Sequence, residues 1–405
     1  MTLSITQALA IIYENSTVVS TEILPIEMAL GRVMWEDSIA TFDLPRFDNS
    51  AMDGYAVKCS DAHTTVTCSE VIYAGDNPQM TLQKTHTIKI MTGAPIPKGC
   101  EAVVPIENVT LNDTQITLPE NIQVNAHIRR AGEDIKIGTI YLHKGEKVTA
   151  YSIALLASQG ITHIKVTRQI KVAVFGTGDE LRPHFEKIEP HQLYNSNTPM
   201  FLSRAKELGC TVQYIGSSAD TMESLESAIT SALSADIIIT SGGVSMGDKD
   251  FTKEAFTNLG MTLHFDKVDI KPGKPTAFGT IGDTLIINLP GNPLASMVNY
   301  EIFVRAAMRK MSGMNAFYHT SIVTQMRDDF RLRAGKHTVR LGNFDGKTFM
   351  PFEKQLPGML SPLAAANAML ITLPEVSSLE KNKHVKIIPI SWEITSSEQE
   401  DFFTS

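Results

Sequence analysis

The sequence predicts a multidomain α/β protein organised around a parallel sheet, and three changes of texture along its 405 residues predict it. Between 169 and 315, strand-like and helix-like runs alternate, as they do in a parallel sheet covered by helices on both faces. Between 41 and 136, short β-branched runs are separated by Gly, Pro and Asn turns, and from 316 to 405 the β texture returns. Residues 1–40 and 137–168 mix helix and strand, so the β segment reads as an insertion into a first unit. A length of ~150 residues per domain suits about two to four domains.

The first helix is expected over 5–14, where Ile5, Ala8, Leu9 and Ile12 share a face behind Ser4 and Gln7 in capping-box spacing. Strands of the β segment fall at 65–67, 87–90, 102–106 and 114–118. A helix over 149–158 is stopped by Gly160. Then come strand 170–175, helix 198–208, strand 211–215, helix 221–233, strand 236–240, a helix at 250–259, strands 263–268 and 284–288, and a long helix over 293–311. Farther on, Asp345-Gly346 signals a hairpin and 385–390 alternates as a strand.

Composition excludes several functions. The net charge of −8 leaves no general basic surface for nucleic acid or anionic lipid. The N-terminus has no secretory pattern and nothing approaches the ~18 apolar residues of a membrane span, so a cytoplasmic protein is expected. Cys59, Cys68, Cys100 and Cys210 stand far apart, and the 11 histidines are scattered, which argues against structural zinc and a disulfide framework.

Chemistry is expected in the loops. Ser241-Gly242-Gly243-Val244-Ser245-Met246-Gly247-Asp248-Lys249-Asp250 follows a strand and can turn backbone N–H groups and hydroxyls toward an oxyanion. Asp250 would cap the next helix or hold Mg²⁺. Gly176-Thr177-Gly178-Asp179-Glu180-Leu181 lacks the third glycine of a dinucleotide fingerprint and presents two carboxylates instead. Asp220 fits an N-cap from spacing alone. Lys267 and Lys271-Pro272-Gly273-Lys274-Pro275 put three ammonium groups on a proline-restrained stretch, an anion clamp rather than a P-loop. Leu289-Pro290-Gly291-Asn292-Pro293 ends a strand and starts a helix, with Asn292 as N-cap and Pro293 at N1. In the β segment, 47–55 with Asp53, 90–95 with Thr92 and Gly93, and 129–134 with Arg129 and Asp134 are polar turns.

The strings FDNSAMDGYAV, IMTGAP, RRAGEDI, TGDEL, SGGVSMGDKD, IKPGKP and LPGNP, in this order, resemble the MoeA-type molybdopterin molybdenumtransferases, a family that includes the gephyrin E domain. The resemblance spans nearly the whole chain. It implies an elongated helical first domain (1–40 continued by 137–168), an inserted β domain (41–136), an α/β domain similar to molybdopterin adenylyltransferase (169–315) and a C-terminal β barrel (316–405). It implies a homodimer whose site is shared, loops with Asp53 and Thr92 facing those with Glu180 and Asp250 of the other subunit.

The implied reaction inserts molybdate into adenylylated molybdopterin, with Mg²⁺-dependent hydrolysis and release of AMP. Asp250, Glu180 and Asp220 are the implied metal ligands and, with Asp53, Lys267 and Lys271, the catalytic set. Thr92, Gly93, Arg129, Asp134, Gly242, Gly243, Ser245, Lys274, Pro290, Pro293 and Arg340 are the implied substrate-binding set. Contact with molybdopterin adenylyltransferase is a further implied partnership. Two positions depart from the family: Gly176 stands where serine is expected, and Pro357 replaces a serine that is a candidate molybdate ligand, leaving Ser361 as the nearby hydroxyl. The alternatives are an interaction scaffold and a nucleotidyl transferase acting on molybdopterin.

Overall fold

The structure is a computed structural model that describes residues 2–178, 180–218, 221–242 and 251–393. The first helix, Ile5–Asn15, begins with the expected capping box: the Ser4 hydroxyl accepts from Gln7 N and the Gln7 side chain accepts from Ser4 N. Strand Thr21–Pro25 then pairs antiparallel with His163–Thr167, although about 140 residues of chain separate them. Ser38–Ile39 with Ile140–Leu142, and Asn49–Ser50 with Ile128–Arg129, repeat this pairing of outgoing and returning chain. Between these crossings lies a six-stranded curled sheet in the order Ala102–Pro105, Gly54–Val57, His86–Ile90, Thr65–Ile72, Gln115–Thr117, Thr110–Asn112.

The central sheet runs Thr211–Ser218, Lys171–Thr177, Ile237–Ser241, Thr284–Leu289, Ala277–Ile281, Thr262–Phe265. Its first four strands are parallel, as alternation with helices predicts. The last two are antiparallel, and strand Ala277–Ile281 was not anticipated. Gly279 interrupts that short run and weakens its strand signal. The glycine is required by packing, since a Cβ there would lie 2.8 Å from Met261 Sδ. Buried runs such as Ile237, Ile238 and Ile239 show that both faces are covered.

The long helix expected over 293–311 is three pieces: Pro293–Asn299, a π-helical turn at Tyr300–Val304, and Arg305–Met311. The wide turn carries Glu301, 1% exposed, between the guanidiniums of Arg204 at 2.6 Å and Arg305 at 2.8 Å. Arg204 and Arg305 also donate to the carbonyls of Ile390 and Pro389 in the C-terminal segment. A closed five-stranded barrel completes the chain, in the order Ile322–Met326, Thr348–Pro351, Thr338–Phe344, Ala368–Thr372, His384–Pro389. Asp345 sits in the turn of the Thr338–Phe344/Thr348–Pro351 hairpin and accepts from Lys347 N and Thr348 N.

One apolar cluster runs from Ala8 and Ile12 through Ile237, Ile239 and Leu289 to Val339, Leu341 and Met369, so the first helix, the central sheet and the barrel share a core. Among the described residues, no helix is long and apolar enough to cross a membrane.

His319 packs behind the π-turn, with Nε2 2.7 Å from Ile302 O and Nδ1 3.4 Å from Arg305. Burial, aided by the charges of Arg305 and Arg309 and opposed by the Ile302 carbonyl, pulls its pKa down to about 4. The unfolded value is ~6.5. Between the two the unfolded chain binds a proton that the folded chain does not, so stability falls on acidification through that window. The melting temperature should decline from about pH 6.5 to about 4, and His319→Gln should flatten this limb. An unchanged slope in the variant would refute the assignment.

Candidate active site

Sheets of this kind bind ligands beyond the carboxyl ends of their parallel strands. There the chain after Thr177, after Ser241 and after Leu289 converges. Gly242 has φ +99°, and a Cβ on it would lie 2.7 Å from Thr177 O, so both its conformation and its surroundings require glycine. Asn197, at the start of helix Asn197–Glu207, donates from Nδ2 to Ser241 Oγ and to Gly291 O, each at 2.7 Å. One buried amide thereby ties two strand-end loops together. Asn197 Oδ1 and Thr177 Oγ1 are buried at this point without hydrogen-bond partners. Glu180 is exposed beside them, with its carboxylate folded toward Gly178.

A cleft of about 330 Å³ opens between these loops and the barrel. One wall carries Lys271, Lys274, Pro290 and Asn292, and the other Lys336, Thr338, Arg340 and Pro357. No acidic side chain is among its described lining residues. The walls are joined backbone to backbone: Lys271 N donates to His337 O and Val339 N to Lys271 O, both at 2.8 Å, while Asp269 pairs with His337 at 2.8 Å. Gly273 turns the clamp at φ +106°, where a Cβ would come within 1.8 Å of Asn299 Nδ2.

Arg340 is half-buried, with Nε shielded from solvent and unpartnered, and its guanidinium 5.6 Å from the Phe330 ring centroid. Burial lowers its pKa. An Nε held this way lacks the acceptor it would have in water, and an incoming oxyanion can supply it. A larger depression of about 470 Å³ lies between strand Thr211–Ser218 and helix Met222–Ala232. Its described lining residues include Ser217, Ser224, Ser227 and Ser231 with Glu223 and no cation, so they offer no positive charge to an anion.

The cleft thus gathers Lys271, Lys274, Pro290 and Arg340 of the expected residues. Pro293 stands at N1 of its helix, but the Asn292 side chain makes no capping bond. Lys267 is outside the lining, its carbonyl accepting from Leu3 N at 3.1 Å. Asp53 lies in the β module, where its carboxylate accepts from Thr92 N at 2.7 Å and Thr92 Oγ1 at 2.8 Å. Those bonds from the Thr92 backbone and hydroxyl lower its pKa. Gly93 turns there at φ +81°, and Arg129 and Asp134 are exposed in the same module, none of whose residues lines the cleft. Asp220, Gly243, Ser245 and Asp250 lie outside the described residues. The helix after Asp220 is capped by Thr221, whose hydroxyl accepts from Ser224 N, so the cap expected of Asp220 belongs to its neighbour.

Sequence reasoning missed Lys336 and Asn197. Lys336 lies in the bend just before strand Thr338–Phe344, and the only signal for it in the sequence is its nearness to Arg340. Asn197 lies in Asn195-Ser196-Asn197, which reads only as a helix start. Its bridging of residues 44 and 94 positions away has no local signature.

Two family models match the chain: the MoeA N-terminal region (domains I and II) over residues 3–160, and the probable molybdopterin-binding domain over 173–310. The molybdopterin molybdenumtransferase of Haemophilus influenzae is 41% identical over 297 residues, covering 72% of this chain and 73% of the relative. That of Staphylococcus epidermidis is 33% identical over 384 residues, covering 91% of each. The crystal structure of a molybdopterin biosynthesis MoeA protein from Pyrococcus horikoshii superposes with a TM-score of 0.83 at 26% identity, covering 96% of this chain and 100% of that one.

Proposed function

We propose, for a chain that belongs to the MoeA family of molybdopterin molybdenumtransferases, that the cationic cleft receives molybdate and the anionic part of adenylylated molybdopterin and brings them together. The observation that carries this reading is the set Lys271, Lys274, Lys336 and Arg340 in one cleft without a described acidic lining residue, in a chain of net charge −8. Both guests are polyanions and would repel each other in water. Lysines on one wall and the Arg340 fork on the other lower that repulsion and fix the oxyanion's orientation. Gly242 and the tied Ser241 and Gly291 loops shape the strand-end floor against which a phosphate can rest.

Glu180, with Asp220 and Asp250 from the sequence, would hold Mg²⁺: carboxylate oxygens suit that hard cation, and the exposed Glu180 carboxylate stands at the strand ends. Bound there, the ion would offset charge developing as the phosphoanhydride is hydrolysed and AMP leaves. Lys267 would add positive charge near the clamp. We assign Pro293 to keeping its loop in place and Arg129 and Asp134 to the rim of the shared site. We divide the chain at 40/41, 136/137, 168/169 and 315/316.

A homodimer accounts for the distance between the β module and the cleft: a second copy would bring its Asp53–Thr92 loop over the cleft. The exposed Ile23, Met28 and Leu30 of the first unit give a second copy apolar area to cover. Contact with a molybdopterin adenylyltransferase would deliver the adenylylated substrate.

The test is AMP release by purified protein supplied with adenylylated molybdopterin, Mg²⁺ and molybdate. Release should require molybdate and fall by roughly two orders of magnitude in Asp250→Ala. Molybdate-independent release, or ATP consumption to adenylylate molybdopterin, would sink the proposal.

A further inference from the structure

The donors of the cleft divide sharply by charge. Gln355 Nε2 already donates to Leu341 O and Phe352 O, and the Thr338 hydroxyl to Lys336 O. Pro272, Pro275, Pro290 and Pro357 have no N–H, and the Pro357 carbonyl accepts from Leu294 N at 2.9 Å. Apart from the Asn292 amide, the side-chain donors that remain among the described lining residues are cationic. On the barrel wall these cations are Arg340, in strand Thr338–Phe344, and Lys336, two residues before it. Lys336, Thr338 and Arg340 all line the cleft, Lys336 from the bend that leads into the strand, and the Lys271–Thr338 bridge holds the start of that strand beside the clamp.

We propose that Lys336 is a specificity-determining residue of this cleft, the donor through which it prefers a doubly charged tetrahedral oxyanion to a singly charged one. The inference rests on the reading of the cleft as the molybdate site and deepens it. Hydroxyl and backbone donors discriminate by geometry, whereas an ammonium interacts in proportion to the charge it faces. Pro357 supplies no donor at its position, and Lys336 adds a fourth positive charge from the wall opposite the two clamp lysines. A single cation whose loss costs a dianion about tenfold in affinity should cost a monoanion of like shape about threefold, the square root, because the Coulomb energy halves.

The experiment is calorimetric titration of the full-length protein with sodium molybdate and with sodium perrhenate, a monoanion of the same shape, at matched ionic strength. In Lys336→Met, which keeps the aliphatic stem, molybdate should bind about tenfold more weakly and the molybdate-to-perrhenate ratio should narrow about threefold. Lys336→Arg should restore the ratio, and the salt dependence of molybdate binding should become shallower in the Met variant alone. A merely structural lysine would weaken both anions equally and leave the ratio where it was. A ratio unchanged in Lys336→Met overturns the assignment, even where AMP release by the wild-type protein depends on molybdate. A ratio that narrows in a protein whose AMP release ignores molybdate upholds Lys336 as the reader of oxyanion charge and rejects the transferase reading.

Discussion

Arg340→Ala should lower molybdate-dependent AMP release by about a hundredfold while leaving the melting temperature of the unliganded protein unchanged or higher. The two halves of this expectation come from the same geometry. Arg340 Nε is buried without a partner, and burial lowers the pKa of the guanidinium. In the unliganded protein the group therefore carries a desolvation cost that alanine removes. With an oxyanion present, the same group becomes a dry, preorganised fork, and losing such a donor costs about two to three orders of magnitude in rate. Arg340→Lys keeps the charge but loses the planar fork, so it should recover only part of the activity. A variant that melts several degrees lower and keeps its activity would show Arg340 to be a packing residue.

Glu301→Ala should have the largest effect on stability. The carboxylate is 1% exposed and joins Arg204 to Arg305, and both arginines also donate to carbonyls at the end of the barrel. Burial lowers the Arg305 pKa to about 10 even with Glu301 beside it. Removing the carboxylate leaves Arg305 desolvated with no carboxylate partner, beside an Arg204 that keeps only Glu207, a defect that costs about 3–5 kcal/mol. For a cooperative unit of 150–250 residues this is a fall of roughly 10 °C in melting temperature. Glu301→Gln preserves volume but not charge and should recover only a minor part. A loss of under about 1 kcal/mol in denaturant titration would mean that solvent reaches the cluster.

What the sequence discloses is local. The Ile5–Asn15 helix is legible because Ser4, Gln7 and the apolar face are close neighbours in sequence, and the inner parallel strands Lys171–Thr177, Ile237–Ser241 and Thr284–Leu289 are legible because each is a buried, largely apolar run. The cationic clamp is legible because its lysines and prolines are neighbours. Long-range features are not. That Tyr300–Val304 widens into a π-turn around Glu301 and that Asn197 ties Ser241 to Gly291 both depend on partners tens of residues away, whereas strand Ala277–Ile281 forms a local hairpin with Thr284–Leu289 and is obscured by Gly279 within a short run. Lys336 lies between these cases. Its spacing from Arg340 is readable, but its relevance appears only once the Lys271–Thr338 bridge brings the barrel wall to the clamp.

The apolar cluster that runs without a break from the first helix to Val339, Leu341 and Met369 bears on the engineering of this chain. A fragment cut after residue 315 would uncover the side of Ile270 and Leu294 on which the barrel rests and would release the backbone that anchors Lys271. The central α/β portion is therefore no free-standing cassette. Chimaeras that exchange it between relatives will stay soluble only when the barrel travels with it.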